Sequence, residues 1–147
     1  MTLAAMTPGD RTKAELVVLV NCVGSVESGM DYAAVGDGGK AVGAWQMHVA
    51  AWITANQWRA GQGMPTVKRS GWQDKNAQRM MALSYLSWCK EQLEKGGVSN
   101  PTPEQMYVCW GWGIGNFREA GFDVSKAPAK KRDAAERVGN LYRELTK

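Results

Sequence analysis

The sequence predicts a mainly α-helical single domain carrying one small Gly-rich hairpin or turn region. Three observations point there. Apolar residues recur at helical spacing in long segments near both ends and in the middle of the chain, as between Leu16 and Val26. Those segments are bounded by helix punctuation, notably Gly29, the Gly96–Gly97 pair and Thr102–Pro103. Only Asp31 to Gly43 has glycines packed closely enough, at Gly36, Gly38, Gly39 and Gly43, to favour tight turns and short strands.

Taken in order, Thr12 and Glu15 have capping-box spacing ahead of the apolar run Leu16, Val17, Val18, Leu19, Val20, Cys22, Val23 and Val26, and Gly29 stops it. This first helix is expected to be mostly buried. After the Gly-rich segment, Met47 to Ala60 reads as helix, with Val49, Trp52 and Ile53 at helical spacing, and Gly61, Gly63 and Pro65 break it. A loop runs on to Arg69. Ser70 and Gln73 cap a long central helix reaching Lys95, apolar on more than one face. Thr102, with Pro103 at the first helical position, opens a further helix through Met106, Val108, Cys109 and Trp110, which the glycines of Trp110 to Gly115 interrupt. The last helix, Ala129 to Leu145, turns Ala134, Ala135, Val138, Leu141, Tyr142 and Leu145 to one side. Residues 1–9 are expected to be flexible.

A chain of 147 residues is long enough to bury a core without disulfides or metal. With 44% hydrophobic and 22% charged residues, it has the composition of a soluble globular protein. No apolar stretch approaches the roughly 20 residues of a membrane-spanning helix. Met1 to Met6 lacks the basic start and extended apolar centre of a secretory signal, so synthesis in the cytoplasm is expected. Cys22, Cys89 and Cys109 are odd in number, lie in apolar contexts and show no CxxC spacing, which makes them buried reduced thiols. His48 is the one histidine and has no ligand cluster, so neither a metal nor an organic cofactor is implied. The net charge of +4 gathers partly at Lys126, Lys130, Lys131 and Arg132, a solvated face that also suits an anionic polymer.

Glu27 is the leading candidate for chemistry. It lies four residues after Val23 and seven after Val20, so a helix places its carboxyl group on their buried stripe. A carboxyl group removed from water holds its proton more tightly, and a protonated acid can serve a leaving group. A glutamate turning to solvent at a helix end is the ordinary alternative.

Reading on from Val26, the chain gives Val-Glu-Ser-Gly and then Gly36-Asp-Gly-Gly-Lys-Ala-Val-Gly43-Ala-Trp-Gln46-Met. This arrangement resembles the lysozyme-like superfamily, especially goose-type lysozymes and soluble lytic transglycosylases. There a catalytic glutamate ends a buried helix in Glu-Ser, and a Gly-rich turn leads to Ala-x-Gly-x-x-Gln, matched by Ala41, Gly43 and Gln46. Gly36 and Asp37 match the Gly-Asp of the goose type. Trp112-Gly-Ile-Gly115 looks like a degenerate copy of a cleft-lining Tyr-Asn-Ala-Gly segment, with Gly113 in the asparagine position. His48 stands where goose-type enzymes carry another aspartate.

The resemblance implies a lysozyme-like domain that cleaves the β-1,4 bond between N-acetylmuramic acid and N-acetylglucosamine in peptidoglycan. Glu27 is the general acid in that reading. Asp37 is the candidate second carboxylate, and a separation of about 6.5 to 9.5 Å would leave room for an attacking water. Otherwise Asp37 is a turn residue and Glu27 acts alone, as acid and then base, while a substrate hydroxyl closes an anhydro ring. Gln46, Trp45, Trp112 and Tyr32 are the substrate-binding candidates. Trp52, Trp88 and Trp110 fall on apolar helix positions and read as core.

The expected partner is the peptidoglycan glycan strand, with no specific nucleic acid and no membrane insertion. The protein would then reach the wall or periplasm by other means, for example as a phage lysis enzyme or virion component. One alternative is a non-catalytic glycan-binding or structural module on the same scaffold. The other is a small basic helical protein that binds nucleic acid through the Lys126 to Arg132 cluster.

Overall fold

Residues 2–147 are described by a computed structural model. It confirms a mainly α chain. Among the described residues the elements are α1 (Pro8–Ser28), β1 (Val35–Gly36), β2 (Ala41–Val42), α2 (Val49–Gly61), α3 (Lys75–Lys95), α4 (Pro103–Trp112), α5 (Ile114–Glu119) and α6 (Ala129–Leu145), with short 3-10 turns between some of them. Met1, the start of the segment expected to be flexible, lies outside the described residues. Leu3–Ala5 form a 3-10 turn, and Pro8 and Gly9 already belong to α1.

The first helix begins a turn earlier than the apolar run suggests. Thr7 accepts from Asp10 N at 3.3 Å and Pro8 takes the first helical position, where its missing N–H costs nothing. Thr12 is therefore inside the helix, bonding back to Pro8 O at 2.9 Å, while Glu15 pairs with Arg11 at 2.7 Å. Burial is also narrower than expected: Leu19, Val20, Cys22 and Val23 are in the core, whereas Val17 is 46% exposed.

Likewise α3 is capped by Asp74, which accepts from Ala77 N at 2.9 Å, and not by Ser70 with Gln73. In α2, Trp52 is buried as expected, but Val49 and Ile53 are each about half exposed. Thr102 opens α4 with Pro103 at its first position as expected, and Gln105 completes a capping box with Thr102 that the sequence reading did not name. Gly113, at φ 96°, separates α4 from α5.

The chain groups into two compact units, Val23–Trp88 and Met1–Cys22 with Cys89–Lys147, so α1 and α3 contribute residues to each. In the terminal unit, α6 lays Ala134, Ala135 and Val138 into the core with Met106, Val108 and Cys109 of α4. Leu145, expected on that face, is 60% exposed. Arg143 and Glu104 join α6 to α4 at 2.7 Å. Cys22, Cys89 and Cys109 are free and buried, and burial pushes the Cys22 and Cys89 thiols upward in pKa.

The central unit holds the expected hairpin. β1 and β2 run antiparallel with Val35 opposite Val42 and Gly36 opposite Ala41. The connection turns through Asp37, Gly38 and Gly39 at φ 50°, 65° and 96°. That left-handed path is open to glycine and to aspartate at little cost and to few other residues, which explains Asp-Gly-Gly here. A second tight turn follows, since Val42 and Met47 exchange backbone hydrogen bonds at 3.1 and 3.3 Å.

Candidate active site

Glu27 occupies the last turn of α1 and is half-buried, continuing the stripe on which Val20 is 2% and Val23 0% exposed. The helix closes immediately afterwards. Gly29 N reaches Ser25 O at 2.8 Å and Met30 N reaches Gly24 O at 3.2 Å, with both residues in the left-handed region. This αL ending redirects the chain at once toward the Gly-rich segment.

Ser28, the neighbour of Glu27, ties the two together. Its hydroxyl donates to Ala44 O at 2.6 Å and accepts from Asp31 N at 3.0 Å. The Glu-Ser pair thus combines an acid with a clamp that fixes the turn of helix bearing it.

The Ala-x-Gly-x-x-Gln motif closes the hairpin. Gln46 donates through Nε2 to Gly43 O at 2.9 Å and to Ala34 O at 3.3 Å. Gly43 sits at φ 78° and its N–H reaches Ala34 O at 2.8 Å. A Cβ on Gly43 would run into the Gln78 amide. The amide nitrogen of Gln46, a substrate-binding candidate, is therefore accounted for by backbone carbonyls.

Gln78 was not singled out by the sequence, yet it is 3% exposed and central. Its Oε1 accepts from Ala44 N at 2.9 Å and its Nε2 donates to Tyr32 O at 2.8 Å. An amide amid Ala77, Met81 and Ala82 on a buried helix face was the available signal.

Trp45 requires a correction. It is 1% exposed, with its ring edge on Tyr32 at 5.9 Å between centroids. Its indole lies close against α1 at Gly24, where a Cβ would run into the Met30 sulfur and stand 3.0 Å from Trp45 Nε1. A ring so enclosed offers no face to a sugar.

Tyr32 is half-buried and surrounded by cations. Lys75 Nζ and the Arg79 guanidinium lie 5.4 and 5.9 Å from its ring centroid, and Arg79 Nη2 donates to the phenol oxygen at 2.7 Å. Trp112 belongs to the terminal unit, where it is half-buried at the end of α4 and its carbonyl accepts from Asn116 at 2.9 Å.

Asp37 takes the turn conformation already described, and its Oδ2 lies 2.9 Å from His48 Nε2. Both side chains are well exposed, at 68% and 48%. His48 therefore does not substitute for a second acid; it partners the one in the hairpin. Nearby, Arg69 Nη2 donates to Lys40 O at 3.2 Å and Met47 O at 3.1 Å, with the guanidinium 5.8 Å from the Trp52 ring centroid. Its Nε is buried without a partner, and desolvation lowers its pKa.

Among the described residues, no group of three or more histidine, cysteine and acidic side chains is arranged to hold a metal ion, and no helix is long and apolar enough to cross a membrane. Compared with protein families, curated proteins and solved structures, the chain matches none.

Proposed function

We propose that the chain is a lysozyme-like muramidase acting on the β-1,4 bond between N-acetylmuramic acid and N-acetylglucosamine in peptidoglycan. The observation that carries this reading is the setting of Glu27. It is half-buried on an apolar stripe, on the last turn of α1, beside a serine clamped to the Gly-rich segment. Such a setting suits a general acid, which needs a fixed position from which to deliver its proton.

In this mechanism Glu27 protonates the glycosidic oxygen as the bond to the anomeric carbon breaks, leaving an oxocarbenium-like centre. Two completions are open to these residues. In hydrolysis, water adds to that centre and Asp37, oriented by His48, accepts its proton. In lytic transglycosylation, Glu27 returns as base, removes a proton from a substrate hydroxyl, and that oxygen closes an anhydro ring. The cations Lys75 and Arg79 around Tyr32 favour an anionic wall polymer over neutral chitin.

The test is digestion of purified peptidoglycan by the unaltered protein and by Glu27→Gln, followed by mass spectrometry. Soluble muropeptides are expected from the first and a loss of about 100-fold or more from the second. Products that differ by one water distinguish the two completions. Equal digestion by both proteins would remove Glu27 from the mechanism.

The burial of Trp45 and the backbone commitment of Gln46 take away two expected sugar contacts and favour, as a second reading, a non-catalytic structural module on this scaffold. It requires that the unaltered protein release no soluble product from peptidoglycan.

A further inference from the structure

In the central unit, α2 turns an uncharged face to solvent. Its exposed residues are Val49, Ala50, Ile53, Gln57, Ala60 and Gly61, with Gln57 the one polar side chain among them. Val49 and Ile53, one helical turn apart and so side by side, are 51% and 52% exposed. The single charged residue of the helix, Arg59, is 8% exposed and directed inward, its Nε donating to Pro65 O at 2.7 Å and its Nη1 to Ser84 Oγ at 3.2 Å. The inner side is apolar as well, since Trp52 and Ala55 lie in the core. A surface helix ordinarily presents charged residues to water, and one that is apolar on both sides has a face suited to cover.

The surroundings of this face are basic. Residues 38–73 contain no aspartate or glutamate. Lys40 is exposed and, with Arg69, lines the same open depression as Val49 and Ala50. Farther along, the loop after α2 is strapped to the helix: Val67 O accepts from Trp52 Nε1 at 2.7 Å and Asn56 Nδ2 at 2.8 Å, and Val67 N donates to Asn56 Oδ1 at 2.9 Å. The strap holds the exposed Lys68 beside the helix. Met64, 37% exposed, lies on the same loop, its N–H bonded to Arg59 O at 2.9 Å. The acids flanking this stretch are engaged elsewhere, Asp37 with His48 and Asp74 with Ala77 N.

An exposed apolar strip rimmed by cations fits a partner that is apolar and anionic together. A second copy of the same face is apolar but brings like charge against like. A protein partner ordinarily gains its affinity from aromatic and arginine anchors seated in pockets, whereas this face is a convex helix bearing valine, isoleucine and alanine. An anionic phospholipid surface supplies both parts without demanding a matched shape: acyl chains for the aliphatic side chains and phosphates for the lysines. With 13 residues, α2 is about 20 Å long against about 30 Å of hydrocarbon, and its other side is committed to the core, so contact is at the interface and not across it. We infer that α2 lies flat on anionic membrane surfaces, with Val49 and Ile53 below the headgroups and Lys40 and Lys68 at the phosphates. This surface is independent of the muramidase reading.

Vesicle sedimentation of the unaltered protein tests it. Vesicles of phosphatidylglycerol with phosphatidylethanolamine are compared with vesicles of phosphatidylcholine alone, at low and high salt. Binding to the anionic vesicles that weakens with salt is expected, with little binding to phosphatidylcholine. Ile53→Gln is expected to weaken it about tenfold, and Val49→Gln serves as an independent variant with the same expectation. Lys68→Gln should weaken it about fivefold. Lys130→Gln, in the basic cluster of the terminal unit, should leave it unchanged. No binding to anionic vesicles, equal binding to phosphatidylcholine, or binding that survives Ile53→Gln and Val49→Gln would overturn the inference. So would self-association without lipid that Ile53→Gln abolishes in sedimentation velocity, since a second copy would then be what covers the face.

Discussion

The Ser28 hydroxyl donates to the Ala44 carbonyl at 2.6 Å, joining the turn of α1 that bears Glu27 to the segment following the hairpin. This contact gives the Glu-Ser pair a physical basis. In the proposed mechanism the glutamate supplies a proton, and the serine fixes the helix end from which it is supplied. The relationship makes Ser28 a positioning residue.

Ser28→Ala removes the bond to Ala44 O and the acceptor of Asp31 N. A loss of about 1 kcal/mol in stability is expected from chemical denaturation. Under the muramidase reading the turnover number should fall while the Michaelis constant changes little, because the acid is displaced and the sugar contacts are not. A variant that is destabilised but turns over normally would show that the clamp serves the fold alone.

Gln78→Met keeps the side-chain volume but strands Ala44 N–H and Tyr32 O in the interior. Each stranded group costs about 1–3 kcal/mol, so a fall of several degrees in Tm is expected by calorimetry. An unchanged Tm would show that water reaches both groups.

Two glycine substitutions separate backbone strain from crowding. Gly38→Ala meets no atom within 4 Å and bears only the left-handed φ of 65°, costing about 1–2 kcal/mol. Gly43→Ala has a similar φ of 78° and also drives its Cβ into the Gln78 amide. The second should be clearly the more destabilising in urea unfolding; equal losses would mean that Gln78 moves aside freely.

Asp123 accepts from Ser125 N at 2.9 Å and Ser125 Oγ at 2.7 Å, and these bonds hold its carboxyl below the ordinary carboxylate range. A carboxyl whose pKa is depressed by folding adds stability above its unfolded value, about 3.9, and that contribution is lost as pH falls through the folded value. The stability gap between the unaltered protein and Asp123→Ala should therefore be steady near neutrality and shrink as pH falls through and below 3.9. Urea midpoints measured across that range check it, and a gap independent of pH would assign the effect to packing.

Much of the local architecture was legible because it depends on neighbours in sequence. Gly29 ends α1, Asp-Gly-Gly turns the hairpin, and Thr102 with Pro103 opens α4, each through backbone geometry confined to a few residues. Helix starts were misplaced where two caps competed: Thr7 displaced Thr12, and Asp74 displaced Ser70. The position of Glu27 on the stripe of Val20 and Val23 was likewise readable from helical period alone.

Tertiary structure decided what period and spacing leave open. It put Trp45 in the core against Gly24, engaged Gln46 with Gly43 and Ala34, paired Asp37 with His48, and brought Gln78 from α3 between Tyr32 and Ala44. Helical period identifies a side of a helix, and turn chemistry identifies a bend. Neither says which distant residue will satisfy a buried polar group, because that partner is set by packing between segments far apart in the chain.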